Sequence, residues 1–189
     1  MRMLTIEKAL SLLEQGLYPS IDDIACILRK WRTELIPSNV QRLHALLRKH
    51  GLETHRSLAN YLVPMLVEVG RLHDAQELFD QISYRNNYSY NSLLSGYVKY
   101  DKSPCAFTLY ERMQDEGLQP DEATFLSVLN SCSHVGLVDK GWKYFESMSK
   151  ANANSITIKH LNCMVDLLGR AGRLDEAILI LKGMPFKSD

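Results

Sequence analysis

The chain repeats itself, and that self-similarity constrains its fold more than any other feature of the sequence. The segments NYLVPMLVEVGRLHDAQELFDQI, NSLLSGYVKYDKSPCAFTLYERM, LSVLNSCSHVGLVDKGWKYFESM and NCMVDLLGRAGRLDEAILILKGM fall into one register. Extending that register gives repeats at 21–55, 56–86, 87–121, 122–157 and 158–189, of 35, 31, 35, 36 and 32 residues, after an N-terminal capping segment at 1–20. A period of this size is the mark of stacked supersecondary units, none of which can bury its own apolar face alone.

Inside each repeat the apolar residues follow a helical spacing. The first helix carries them at i, i+3, i+4 and i+7, as Ala59, Leu62, Val63 and Leu66 in one repeat and Tyr90, Leu93, Leu94 and Tyr97 in the next. Phe125, Val128, Leu129 and Cys132 continue the series, as do Leu161, Met164, Val165 and Leu168, while Ile24, Ile27, Leu28 and Trp31 begin it. Such spacing sets one stripe on one face. A second helix does the same with Ala75, Leu78, Phe79 and Ile82, matched by Ala106, Leu109, Tyr110 and Met113. Small residues (Ala75, Ala106, Gly141, Ala177) recur where two helices should approach most closely. Gly70, Gly136 and Gly172 fall between the helices, where a left-handed C-terminal cap is wanted. Pro120 closes a repeat because it cannot continue the preceding helix. The pattern predicts an all-α fold, a right-handed α-solenoid of about five helix–turn–helix repeats. Residues 4–15 read as a short amphipathic helix capping the first repeat. The last helix, roughly 174–184, lacks the polar capping unit a solenoid needs at its end, which predicts a partner there or a truncated relative of a longer protein.

Composition narrows the function. The chain has 22 basic and 22 acidic side chains, a formal net charge of zero, so attraction to nucleic acid must come from where cations sit and not from their excess. Four cysteines (Cys26, Cys105, Cys132, Cys163) include no Cys-x-x-Cys pair and suit core thiols in a reducing compartment. No apolar run is long enough for a bilayer span, and the first twenty residues, with Glu7 and Glu14 among few serines, do not read as a transit peptide.

The strings YNSLLSGYVK, DEATFLSVLNSCSHVGLVDKGWKYFESMSK and NCMVDLLGRAGRLDEA resemble the pentatricopeptide repeat family, specifically its plant PLS subclass of long, short and standard repeats. On that resemblance 21–55 is a degenerate long repeat, with Leu35 in place of the inter-helix glycine. The others follow as short (56–86), standard (87–121), long (122–157) and C-terminal short (158–189). The rival tetratricopeptide keeps a strict period of about 34 residues, which these lengths violate.

The resemblance implies single-stranded RNA as ligand, one base per repeat read by two or three side chains. The readers it implies are the fifth and final residues of each repeat: Asn60 with Asn86, Asn91 with Asp121, and Asn162 with Asp189. The pairs Ala25/His55 and Leu126/Thr157 depart from the pattern, leaving a site of roughly N–Y–U–N–U. For each asparagine the alternative is a solvated polar residue near a helix start, and for Asp121 an N-cap. Lys99, His134 and Arg170 share one repeat phase and are the candidate phosphate contacts. The alternative for them is a solvated helix end, where cations suit the dipole.

An enzymatic reading finds no support in the motifs. The His-x-Glu and Pro-Cys-x-x-Cys strings of a zinc deaminase are absent, as are a phosphate loop and a nucleophile elbow. His160 and Cys163 could be half a metal site, but they have no second pair and read better as a surface imidazole beside a buried thiol. Trp31 and Trp142 read as core residues. The expectation is therefore a non-enzyme without cofactor or metal. It binds single-stranded RNA in organellar RNA metabolism, with C-to-U editing the leading process and catalysis supplied in trans. The family implies a mitochondrial location, or alternatively a chloroplast one, and a deaminase or other editing-complex protein as partner at the C-terminal face. No membrane and no small-molecule substrate is implied. A protein-interaction scaffold and a non-functional truncated member are the alternatives.

Overall fold

A computed structural model of the chain describes residues 6–17, 19–30, 36–151 and 156–183. Trp31, Leu35 and Asp189 lie outside the described residues. Among those described are eleven helices and no strand. In order they are α1 (Ile6–Glu14), α2 (Ile21–Lys30), α3 (Pro37–Lys49), α4 (Arg56–Glu68), α5 (Leu72–Gln81), α6 (Asn87–Lys99), α7 (Ser103–Asp115), α8 (Glu122–Val135), α9 (Val138–Ala151), α10 (Ile158–Arg170) and α11 (Leu174–Gly183). The fold is all-α, and none of these helices is long and apolar enough to cross a membrane.

The turns follow from local backbone chemistry. Gly70, Gly136 and Gly172 take the left-handed conformation between paired helices, so the helix can stop and reverse without a Cβ clash. In the third repeat Asp101 occupies the equivalent place with φ of 53°, a cost that aspartate bears better than most side chains. Starts are defined by side-chain caps. Asp121 accepts the Thr124 N–H at 3.0 Å, while the Thr124 hydroxyl receives the Asp121 N–H at 3.2 Å. Asn86 and Ser89 make the same reciprocal box. Pro64 sits inside α4 and removes the donor that would have bonded the Asn60 carbonyl four residues back.

The chain divides into two compact units, residues 1–96 and 97–189. In the first, α2 and α4 pack as neighbouring first helices, α5 covers α4, and α1 docks on α3. The α1 face buried there is Ala9, Leu10 and Leu13, and His50 bonds the Leu13 carbonyl at 3.1 Å. Leu58, Leu62, Leu66 and Phe79 are all but inaccessible, and Phe79 meets Tyr90 edge-on at 4.8 Å. In the second unit α8 and α10 are the adjacent first helices, with α7 and α9 against α8, and α9 and α11 against α10. Tyr110, Tyr144, Phe125, Met148, Met164 and Leu167 form its core, with Tyr110 and Tyr144 edge-on at 4.8 Å. Burying such rings removes large apolar areas from water, about 25 cal/mol per Å².

Among the described residues the predicted stripes are buried, with two exceptions on α10. Leu161 and Val165 are only half-buried, whereas His160 and Leu167 are fully buried. The buried face of α10 is thus rotated toward His160, Met164, Leu167 and Leu168. Gly141 shows why a small residue is needed between helices: a Cβ built there would lie 2.3 Å from Leu167 Cδ2. Trp142 is half-buried against the core and meets Phe145 edge-on at 6.1 Å.

Candidate functional site

The residues expected to end four of the repeats cap the helices that follow, and this decides what those side chains can do. His55 Nδ1 accepts the Ser57 N–H ahead of α4, Asn86 caps α6, Asp121 caps α8, and Thr157 forms a capping box with His160 at the start of α10. In Asn86 the cap uses the carbonyl oxygen, and the amide NH2 is left as a donor on an exposed side chain. Capping therefore orients these side chains without exhausting their hydrogen-bonding capacity.

In the first unit the helix ends build a cleft of about 720 Å³. Its walls are Asp22, Ala25 and Arg29 from α2, Arg56, Ser57, Asn60 and Tyr61 from α4, Tyr84, Arg85 and Asn86 from the turn after α5, and Tyr88 from α6. Asn60 and Asn86 thus open onto the same space, together with Ala25 of the preceding repeat. Asn60 Nδ2 donates to the Tyr84 carbonyl at 3.0 Å. That contact fixes which end of the amide is which, and leaves Oδ1 buried with no hydrogen-bond partner. A buried orphan acceptor is costly. Aromatic surface is present as well: Tyr61 and Tyr88 lie 6.5 Å apart, and the Arg56 guanidinium covers the Tyr84 ring at 4.6 Å.

The remaining candidate readers are more dispersed. Asn91 is half-buried on α6 and does not line this cleft, and Asn162 is exposed on α10 in the second unit. Asp121 is exposed at its cap. Leu126, in the fourth repeat's reading position, is half-buried.

Two of the three candidate phosphate contacts carry acids beside them. His134 faces Asp101 at 3.2 Å. Arg170 Nε donates to both oxygens of Asp166, at 3.1 and 3.0 Å. Asp166 also accepts the Ser133 hydroxyl, and that bond, with Arg170, holds its carboxyl below the usual carboxylate range. Lys99 is exposed, with its Nζ 5.9 Å from the Tyr100 ring centre.

His160 and Cys163 reverse the sequence expectation. The imidazole is the buried group, fully inaccessible, and the thiol is half-buried. Nδ1 of His160 accepts the Thr157 N–H at 3.1 Å, so Nε2 carries the proton it donates to the Glu122 carbonyl at 2.9 Å. This ring ties the start of α10 to the start of α8, a long-range pairing that spacing on a single helix cannot reveal. The Cys163 thiol donates to Asn130 Oδ1 at 2.9 Å, and burial, with Asp166 nearby, pushes its pKa up to about 11. Burial also raises Cys132, to about 12. Neither thiol is poised as a nucleophile or thiolate ligand.

Comparison with known proteins agrees with the helical repeats. A PPR repeat family model matches residues 85–134, and a PPR repeat model matches 123–152 and 160–187. These models describe a repeat and no catalytic domain. A pentatricopeptide repeat-containing protein of Arabidopsis thaliana is 37% identical over 175 residues, 92% of this chain and 27% of its own length. Another from the same plant, named as mitochondrial, is 31% identical over 94% of this chain and 20% of its own, and a chloroplastic one is 34% identical over 79% and 18%. The chain spans about a quarter of the length of the first of these relatives. Among solved structures, the pentatricopeptide repeat protein PPR10 in complex with an 18-nucleotide psaJ RNA element superposes with a TM-score of 0.71 at 26% identity, covering 93% of this chain and 27% of that one. The PPR domain of Arabidopsis protein-only RNase P 1, in complex with tRNA, shares the fold with a TM-score of 0.60 at 16% identity, covering 95% of this chain and 92% of that domain. With repeat models matched between residues 85 and 187 and relatives 37% and 31% identical over 92% and 94% of it, the chain belongs to the pentatricopeptide repeat family.

Proposed function

We propose that this chain binds single-stranded RNA and selects pyrimidines through its asparagine and aspartate pairs, as a non-catalytic module of organellar RNA metabolism. The observation that carries this reading is the shared cleft of Asn60 and Asn86, where two amide side chains stand on one wall with Tyr61, Tyr84 and Tyr88. Amides present a donor and an acceptor at fixed spacing, which suits a base's Watson–Crick edge. The PPR10 complex supports RNA as the ligand, and the names of the mitochondrial and chloroplastic relatives support an organelle. Within this reading Asn60/Asn86 address a pyrimidine, Asn91/Asp121 uracil and Asn162/Asp189 uracil, with Lys99, His134 and Arg170 near the backbone. We place the chain in the PLS subclass, acting in C-to-U editing or processing with the chemistry supplied outside these repeats.

The test is fluorescence anisotropy with short RNAs at low salt. An oligomer carrying the expected pyrimidines should outcompete its purine-substituted counterpart, and Asn60→Ala, Asn91→Ala or Asn162→Ala should each weaken that preference while leaving the helical circular dichroism intact. Equal binding of all sequences, unchanged in the variants, would defeat the reading. One observation favours a scaffold instead: Leu174, Ile178 and Leu179 of α11 are exposed by 61%, 45% and 67%. That reading gains if the chain binds no RNA.

A further inference from the structure

The arginines of the described residues fall into two groups. Arg42, Arg48, Arg71, Arg112, Arg170 and Arg173 each have a carboxylate partner. Arg85 donates to the Phe79 and Asp80 carbonyls, both at 2.9 Å, and so closes the end of α5. Among the described residues Arg29 and Arg56 alone of the arginines have no carboxylate or carbonyl partner, and both line the cleft that holds Asn60 and Asn86. In a chain whose formal charges cancel, two unneutralised guanidinium groups on one cleft mark where an anion is wanted.

We propose that Arg29 and Arg56, with the Tyr84 ring, hold an RNA phosphodiester beside the base addressed by Asn60 and Asn86. This site deepens the RNA-binding reading above and rests on it. Arg29 lies one turn beyond Ala25 on α2, on the same face. The repeat whose reading position is apolar thus supplies a cation to its neighbour's cleft. Arg56 is held by its contact with the Tyr84 ring, and Tyr84 is tied through its carbonyl to Asn60. One structural unit therefore couples phosphate contact to base contact. A guanidinium forks onto two phosphate oxygens and stacks on an aromatic face at the same time, which an ammonium does less well. Asp22 is the one acidic side chain on the cleft wall. It repels an anion on its side and leaves the Arg29–Arg56 side as the path for the backbone. The cleft's volume lies within the roughly 300–1,000 Å³ that holds small ligands, room enough for a nucleotide.

The experiment measures anisotropy of a labelled oligopyrimidine RNA with the full 189-residue chain across a salt series. Arg29→Gln and Arg56→Gln should each weaken binding severalfold, equally for pyrimidine and purine RNAs. Each should also lower the slope of log affinity against log salt by about 0.7, the value of one phosphate on a single strand. Tyr84→Phe should keep the wild-type slope and Tyr84→Ala should lose part of it. Arg48→Gln, which removes an equal charge elsewhere, should leave the slope alone. The proposal falls, with RNA reading intact, if Asn60→Ala changes base preference while the Arg29 and Arg56 variants keep the wild-type slope, or if Arg48→Gln lowers it as much. Displacement of RNA by polyglutamate from wild type but not from Arg56→Gln would assign the site to an acidic polypeptide and overturn it. No binding of any RNA would remove both this site and the reading beneath it.

Discussion

Asp121 caps a helix and, in the reading proposed above, also addresses a base. Its carboxylate caps α8 through the Thr124 N–H, and a cap of this kind contributes about 1 kcal/mol. Asp121→Asn should keep that contribution, because the amide oxygen can accept the same bond, while altering the base preferred by the third repeat. Asp121→Ala should lose both, lowering the urea midpoint by an amount equivalent to about 1 kcal/mol. A variant pair that changed stability and base preference in strict parallel would reduce Asp121 to a cap. Single residues were also where the sequence misled. Nothing at the His160 position distinguishes a surface imidazole from a buried one until the Glu122 carbonyl arrives from another helix. Arg29, Arg56 and Tyr84 recur at no phase shared by the repeats, so a search by register passes over them.

Helices meet through small residues and short polar ties, and both are open to test. Gly141→Ala would drive a methyl group toward Leu167 Cδ2, and because Leu167 is fully buried it has little room to yield. The expected loss is about 1–3 kcal/mol, measured by thermal or urea unfolding, and a second change, Leu167→Ala, should be less costly in the alanine background than alone. The Ser133–Asp166–Arg170 tie links α8 to α10. The Asp166 carboxyl is lowered in the folded state, so its stabilising contribution is present above the unfolded aspartate range near pH 4 and is lost as pH falls through the folded pKa. Asp166→Asn should therefore flatten the acid limb of the stability curve without moving the plateau much, since the group is half-exposed and solvent screening keeps its contribution small.

At the scale of the whole chain, charge balance sets expectations for binding. With a formal net charge of zero and six of the described arginines beside acids, the salt dependence should be shallow, and affinity at physiological ionic strength no better than ordinary non-specific binding, about 10⁻⁴–10⁻⁶ M. Comparing anisotropy titrations at low and physiological salt checks this. A steep slope, signalling many phosphate contacts, would mean that Arg170 opens from Asp166 to RNA after all.

Taken alone, the sequence determined the helical class, the buried stripes and the glycine turns, because these depend on spacing along one chain and on backbone sterics, which are local. Repetition amplified those local signals by printing them several times. What only the tertiary structure decided is which polar groups lack partners. The orphaned Asn60 oxygen, the two unneutralised arginines on one cleft and the buried His160 ring are all defined by residues more than twenty positions away, or by their absence. Such pairings depend on distances through space, and a linear periodicity carries no information about them.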